Sequence, residues 1–436
     1  MIFGLPALFG FLPLAIYLYL AFKGKNLLST VMICVVIGAI LTKQTPVTLA
    51  NEIANGLKSF LGLIGFIIMM GAGLGEVLTE TKVARNLVEI LIKKVGIKNQ
   101  NQAILVTMFT STLLVALLGT LAGANAMLAP ILIPIVASYK LTPNALAVIM
   151  HGAGACGLFL GPFVPPVITL TGLTELPYST YLASVGLPVA VLVFITTYFT
   201  GKKVQKKYEG IESYSKEDMD TEEEFKATPE INRATLVFFL VMVSMLVYGI
   251  INKAGAAYAI VVMLVVAFST GLSSGKGMMD IVNSLIKGST RMFWLFFMFV
   301  LYDPFLRFVT MTGAFDTLAA LLKPLIDVSG DIGFIIISTL VGIFGVSGAA
   351  VAQSVVLNDL FKNIVADIGL PMTIWGTVLL IGSQITSFAY PTGDMIGQMG
   401  LARSKDLKSM IRNGISITIV MIIYIIIRAL IYYFTK

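Results

Sequence analysis

The chain has 436 residues, 57% apolar and only 12% charged, with a net charge of +7 and a mean hydropathy of +0.92. A soluble domain of this length needs about 25% charged residues to cover its surface, so a soluble globular protein is excluded. The positive charge does not mark a nucleic-acid binder, because the basic residues fall at the edges of apolar runs and not on one soluble face.

Those runs are about 20 residues long, enough to cross a bilayer core of about 30 Å. The first, 5–22, has no charged segment before it and no small-residue cleavage site after it, and reads as a retained span, not a signal peptide. Spans at 27–42 and 60–78 follow. A charged amphipathic stretch at 82–95 leads into an apolar segment, 103–138, broken near its middle by small residues. An interrupted span at 143–174 and a continuous one at 180–200 complete the first half. The polar stretch 202–233 carries Lys202, Lys203, Lys206 and Lys207, then Glu222, Glu223 and Glu224, and reads as a solvated cytoplasmic linker. Beyond it come spans at 234–252, 256–272 and 291–310, and an amphipathic stretch at 314–327. A broken segment at 332–367, an interrupted span at 371–400 and a last span at 409–434 close the chain. A broken apolar segment that enters and leaves on one side is a re-entrant hairpin, tolerated only where protein or a water-filled cavity surrounds it.

The second half repeats the first. The stretch from Glu52 to Leu57 matches that from Asp280 to Leu285, Thr79 and Thr81 match Thr310 and Thr312, and Ala122-Gly123-Ala124 matches Ser347-Gly348-Ala349. Pro162 matches Pro391 and Gly172-Leu173 matches Gly400-Leu401, all at offsets between 225 and 231. The expected fold is therefore an all-α membrane protein of two repeats, 1–201 and 234–436, joined by the 202–233 linker. Each repeat holds five transmembrane helices, one of them discontinuous, and a re-entrant hairpin. An odd number of spans per repeat makes the second copy inverted. Placing the linker and the 82–98 arm inside puts most lysines and arginines in the cytoplasm and both termini outside.

A carrier needs a site near the midplane built from backbone freed by helix breaks, where half-helix N-termini favour an anion and unwound carbonyls a cation. Four such breaks are legible. The hairpin tips run through Gly119-Thr120-Leu121-Ala122-Gly123-Ala124-Asn125 and through Gly345, Ser347, Gly348 and Gln353. The interrupted spans break at Gly161-Pro162-Phe163-Val164-Pro165, continuing to Thr169 and Thr171, and at Thr386 through Tyr390-Pro391-Thr392-Gly393-Asp394. Proline removes a backbone donor and interrupts a helix, and glycine lets backbone approach a ligand. Candidate substrate contacts are Thr120, Gly123, Ala124, Asn125, Pro165, Thr169, Ser347, Gly348, Gln353, Thr386, Pro391 and Thr392. Candidate coupling-ion contacts are Gly119, Gly161, Pro162, Thr171, Gly345 and Asp394. Asp394 is the one carboxylate inside a break, hence the candidate for Na⁺ or a proton.

Other groups read as structural. Asp303 and Arg307, four residues apart, suggest an ion pair, and Glu76 lies toward the cytoplasmic interface. His151, the single histidine, excludes a multi-histidine metal site and reads as a packed, hydrogen-bonded core residue, with a proton carrier as the other reading. Asn358 and Asp359 lie in the outer limb of the second hairpin, facing vestibule or solvent, and Cys34 and Cys156 read as small core residues. No GxxxxGK[ST] loop or HExxH motif is present and no Ser/His/Asp set can be assembled, so an enzyme is not expected and the only cofactor-like species is the coupling ion, Na⁺ or H⁺.

This arrangement of spans, arm, hairpin, broken span and linker, then the same inverted, resembles the ion transporter superfamily of elevator-type carriers over nearly the whole chain. Residues 56–96 look like the third span and arm of gluconate permeases. Residues 129–166, with Pro130, Pro134 and Pro165-Pro166, look like the large membrane subunit of TRAP transporters. The second half departs from both and lacks the Ser-Asn-Thr tip signature of the dicarboxylate/sodium symporters. The resemblance implies a scaffold (spans 1, 2, 6 and 7), a transport domain of hairpins and broken spans that slides across the membrane, and a homodimer through the scaffold. The function expected is cation-coupled transport of a small organic anion, a carboxylate or amino acid, in the inner membrane of a prokaryote. The alternative is a Na⁺/H⁺ antiporter.

Overall fold

The computed structural model describes residues 6–23, 25–95, 97–215, 225–252, 254, 257–345 and 350–435. Everything regular among them is helical. The first half comprises a 3₁₀ turn at Ala7–Phe11, then α1 (Leu12–Phe22), α2 (Leu27–Leu41), α3 (Pro46–Lys58), α4 (Phe60–Glu80), α5 (Val83–Val95), α6 (Gln100–Leu118), α7 (Leu121–Ser138), α8 (Pro143–Leu160), α9 (Pro165–Thr174), α10 (Tyr178–Tyr181) and α11 (Leu187–Tyr208). The second half comprises α12 (Pro229–Ile251), α13 (Tyr258–Ser273), α14 (Met278–Thr290), α15 (Phe293–Met311), α16 (Ala314–Ile343), α17 (Ala350–Asp367), α18 (Met372–Gln384), α19 (Thr386–Ala389), α20 (Gly393–Leu401) and α21 (Leu407–Thr435).

Local chemistry sets many of the helix starts. Asn26, Thr45, Ser59, Asn99, Thr120, Thr142, Thr228 and Thr392 each accept a backbone N–H of the helix they precede. Proline occupies the first turn of α3, α8, α9 and α12, where its missing N–H costs nothing. Eight helical segments among the described residues are long and apolar enough to cross a membrane, counting each hairpin limb of α6–α7 separately and α8–α9 as one. Large apolar side chains also point outward, among them Leu236, Phe239, Leu240 and Val243 on α12, as lipid-facing surface requires. The chain is an all-α, multi-pass membrane protein.

Several expectations are refined. The helix expected at 180–200 runs on to Tyr208, so the lysines read as linker lie on its last turns. The segment at 46–58 and its counterpart at 278–290, noticed only as a sequence repeat, are amphipathic helices. The arm at 314–327 and the limb from 332 are one helical run, α16, kinked at Gly330, whose φ of 63° and ψ of −173° suit only glycine.

One core is built from α1, α2, α4–α7 and α12–α15, with residues of α9, α16 and α17 packed into it. A second joins α8, α9, α11, α16–α19 and α21, and a third fills the junction of α6–α8 with α20 and α21. The halves interlock through charge. Glu76 on α4, 3% exposed, takes Lys287 Nζ at 2.6 Å and Arg291 Nη1 at 2.8 Å. Arg307 on α15 reaches Asp303 at 2.9 Å, as expected, and also Glu52 on α3 at 3.3 Å. In each case the long helix of one half is paired with the short amphipathic helix of the other.

The described ends of the linker are docked. Asn144 Nδ2 donates to Glu212 at 2.7 Å, and the Tyr214 hydroxyl donates to the Ala402 carbonyl at 3.0 Å. At the far end Arg85 sits over the Phe225 ring at 4.9 Å, and Asn86 donates to Asn232 and Thr235. Nearby, desolvation pushes the Asp406 carboxyl up, but hydrogen bonds from Ser409 and Tyr208 outweigh it and hold the group below the usual carboxylate range.

Candidate functional site

The first hairpin turns at Gly119, which caps α6 with φ 72°, and Thr120, whose hydroxyl accepts the Gly123 N–H at 3.2 Å to start α7. A Cβ on Gly119 would lie 3.8 Å from Pro165 Cδ, so this tip stands beside the first break. The break at 161–164 is extended at Gly161, where a Cβ would overlap the Ala116 carbonyl, and α9 restarts at Pro165. Gly71 and Gly75 on α4 let this region approach: a Cβ on Gly71 would lie 3.3 Å from the Phe163 carbonyl.

The second hairpin meets the second break in the same way. Gly342 and Gly382 bring α16 and α18 into backbone contact, and Gln353 Nε2 donates to both their carbonyls, the latter at 2.7 Å. The Tyr390 hydroxyl donates to the Gly345 carbonyl. Thr392 caps α20, and Pro391 and Asp394 are exposed beside it. Ser347 and Gly348 lie outside the described residues.

The two halves then cross. The half-helix α9 packs on α17 and α18, and α20 packs on α7 and α8. Asn125 fixes this crossing: Oδ1 accepts from Ser111 at 2.8 Å, and Nδ2 donates to the Met150 carbonyl at 3.0 Å and to Gln398 on α20 at 2.7 Å. Thus the first hairpin tip and the two interrupted helices share one unit of the fold.

Not every expected contact presents a free dipole. Asn125 is wholly buried and committed to that network, and Ala124 is buried with it. Thr169, Thr171 and Thr386 turn their hydroxyls back onto the carbonyls of Pro165, Val167 and Ser383. Asp394, in contrast, is exposed in the first turn of α20, beside Gly393 and Gly397, where an added Cβ would meet nothing within 4 Å. Asp359 is bound to Lys362 at 2.8 Å, and Asn358 accepts from the Trp375 indole. Cys34 and Cys156 are buried thiols, as expected. His151 is buried, but the hydrogen bonds expected for it are missing: neither ring nitrogen has a partner among the described residues.

A cavity of about 670 Å³ opens where α9 and the 175–179 turn face α12 and α13. Pro162 and Thr171 line it together with Phe60, Glu175, Tyr178 and Tyr258. Glu175 was not singled out from sequence; its φ of 55° is the only local oddity, and a single residue gives no sign of it. Gly172 holds this border tight, since a Cβ there would overlap the Phe60 ring.

Paired breaks in crossed half-helices, inside a multi-pass helical protein, define a membrane transporter fold. The model of the Na⁺/H⁺ antiporter family matches residues 1–174, the part of the 436-residue chain that ends with α9. The crystal structure of the YdaH transporter of Alcanivorax borkumensis, described as having an unusual topology, superposes with a TM-score of 0.62 at 12% identity. That likeness covers 89% of this chain and 88% of the other. No curated protein sequence matches the chain.

Proposed function

We propose that the protein is a cation-coupled secondary transporter that exchanges Na⁺ for H⁺, working as two inverted repeats, 1–201 and 234–436. The observation that carries this reading is the match of residues 1–174 to the Na⁺/H⁺ antiporter family, which takes in the first hairpin and the first break. The chemistry falls to Asp394. A carboxylate that is exposed, and has no ion pair or hydrogen bond among the described residues, holds either a proton or a Na⁺ ion but not both. The extended backbone at Tyr390 and Thr392 offers carbonyls to the cation. Competition of the two ions for one carboxylate is what couples their movements.

Alternating exposure of that site would come from sliding the hairpin and broken-helix unit along a scaffold of α1, α2, α12 and α13, paired as a homodimer through that scaffold. Support comes from the cavity, which lies between α9 and the 175–179 turn on one side and α12 and α13 on the other. In proteoliposomes, an outward Na⁺ gradient should drive proton uptake, read by an internal pH dye, and Asp394→Asn should abolish it without lowering thermal stability. Full exchange by Asp394→Asn would remove the residue from the site.

A second reading, symport of a small organic anion with Na⁺ or H⁺, is favoured by the cavity. Its 670 Å³ falls within the range of about 300–1,000 Å³ of small-molecule sites and far exceeds what a bare cation fills. A Na⁺-dependent rise in melting temperature with one carboxylate or amino acid, and no Na⁺-driven proton flux without it, would replace the exchange reading with this one.

A further inference from the structure

His151 is the chain's single histidine, wholly buried on α8, with both ring nitrogens unpartnered among the described residues. Each buried polar atom left without a partner costs about 1–3 kcal/mol, so two on one ring ask for a role beyond filling space. Phe388, on the short helix before the second break, covers the imidazole with ring centroids 4.5 Å apart and planes at 44°. Two more buried polar atoms without partners belong to the same junction. Thr197 Oγ1 packs on the backbone of Gly152, the next residue along α8. Asn413 Nδ2 belongs to the residue before Gly414, whose backbone lies against the Phe388 carbonyl.

Among the described residues no charged side chain is bound to the imidazole. On the helices packed against α8, α6 carries Thr107, Thr110 and Ser111, α7 carries Asn125, and α11 carries Thr197, all buried. On α20 stands Gln398, with Asp394 a turn away and exposed; on α21 stands Asn413, with Arg412 beside it and exposed. Tyr390 is turned to Gly345, and Cys156, on α8 itself, directs its thiol to the Gly152 and Ala190 carbonyls. The ring contact of the imidazole is with an aromatic side chain mounted on the short helix next to a helix break.

We propose that His151 is a second proton-binding residue of the transport unit, closed off by Phe388 in this conformation and opened to water when the second break rearranges. This rests on the proton-coupled reading given above. The neutral ring has one nitrogen lone pair free to take a proton from water there, and Thr197 Oγ1, beside the adjoining Gly152, is an unpartnered oxygen at the same junction. The cation formed could not be re-covered by Phe388 without a large desolvation cost, so proton binding would hold the break in its rearranged form.

One histidine per chain makes the test direct. The full-length protein, carrying a histidine-free affinity tag and ¹⁵N-labelled imidazole, is placed in nanodiscs and followed by NMR from about pH 5 to 9, with and without Na⁺. The expected result is a transition from neutral to imidazolium shifts whose midpoint moves when Na⁺ is added. Neutral shifts throughout, in both series, would make His151 a packed core residue and overturn the proposal. In proteoliposomes, His151→Gln should keep Na⁺ binding but lose the limb of the exchange pH profile between about pH 6 and 8; an unchanged profile would also overturn it. Absence of any Na⁺-driven flux in the wild type would sink the exchange reading alone, because the NMR titration decides the protonation of His151 by itself.

Discussion

Asn125 shows where reading single residues reaches its end. Its place at a hairpin tip is legible from the small residues around it, and a neutral dipole there suggests a substrate contact. Its actual partners, Ser111, Met150 and Gln398, are set by how three other helices pack, and Gln398 lies 273 residues away in sequence. No local spacing encodes that. Removing the side chain strands a buried hydroxyl, a carbonyl and an amide, so Asn125→Ala should cost about 2–3 kcal/mol, read as a lower midpoint in thermal or denaturant unfolding. A loss below about 0.5 kcal/mol would mean that the network is not formed. Asp394 presents the opposite case: being the sole acid within a break is a sequence property, and the structure leaves that carboxylate exposed.

At the level of elements, the breaks are the most legible feature, because proline and glycine act through the backbone of their own neighbourhood. The arrests at Gly119, 161–164 and 390–392 fall where the residue types put them. The helices α3 and α14 escape a search for spans, being short and only half apolar, although their repeat is visible in the sequence. What the residue types do not disclose is which glycines bear a neighbour. Gly342 stands against Gly382, where an added Cβ would come 2.5 Å from the opposing Cα, whereas Gly397 on α20 faces open space. Gly342→Val should therefore force α16 and α18 apart and cost about 1–3 kcal/mol or more. Gly397→Ala should be neutral or gain about 0.5–1 kcal/mol from helix propensity. Equal effects at the two positions, measured by thermal unfolding in detergent, would contradict the close approach at Gly342.

Across the whole molecule the two halves hold each other by exchanged charges. Glu76 is nearly inaccessible, while Arg307 is 45% exposed and shares its charge between Glu52 and Asp303 in partial contact with solvent. Burial decides their relative worth: Glu76→Gln should destabilise by about 1–3 kcal/mol, and Arg307→Gln by less than about 1 kcal/mol. The reverse order in unfolding measurements would mean that Glu76 is hydrated. The sequence displays every one of these charges but not their pairing, and it suggests only the local Asp303–Arg307 contact, because the others join helices from opposite halves. The bond from Asn125 to Gln398 has a consequence for how the protein is made. At about 5–20 residues per second, the ribosome needs roughly 14–55 s to supply the 273 residues that separate the two. Through that interval the first hairpin waits in the membrane with an amide whose final partner has not been synthesised. The newborn half must therefore be sheltered by lipid headgroups, water or the insertion machinery until the far end of the chain arrives.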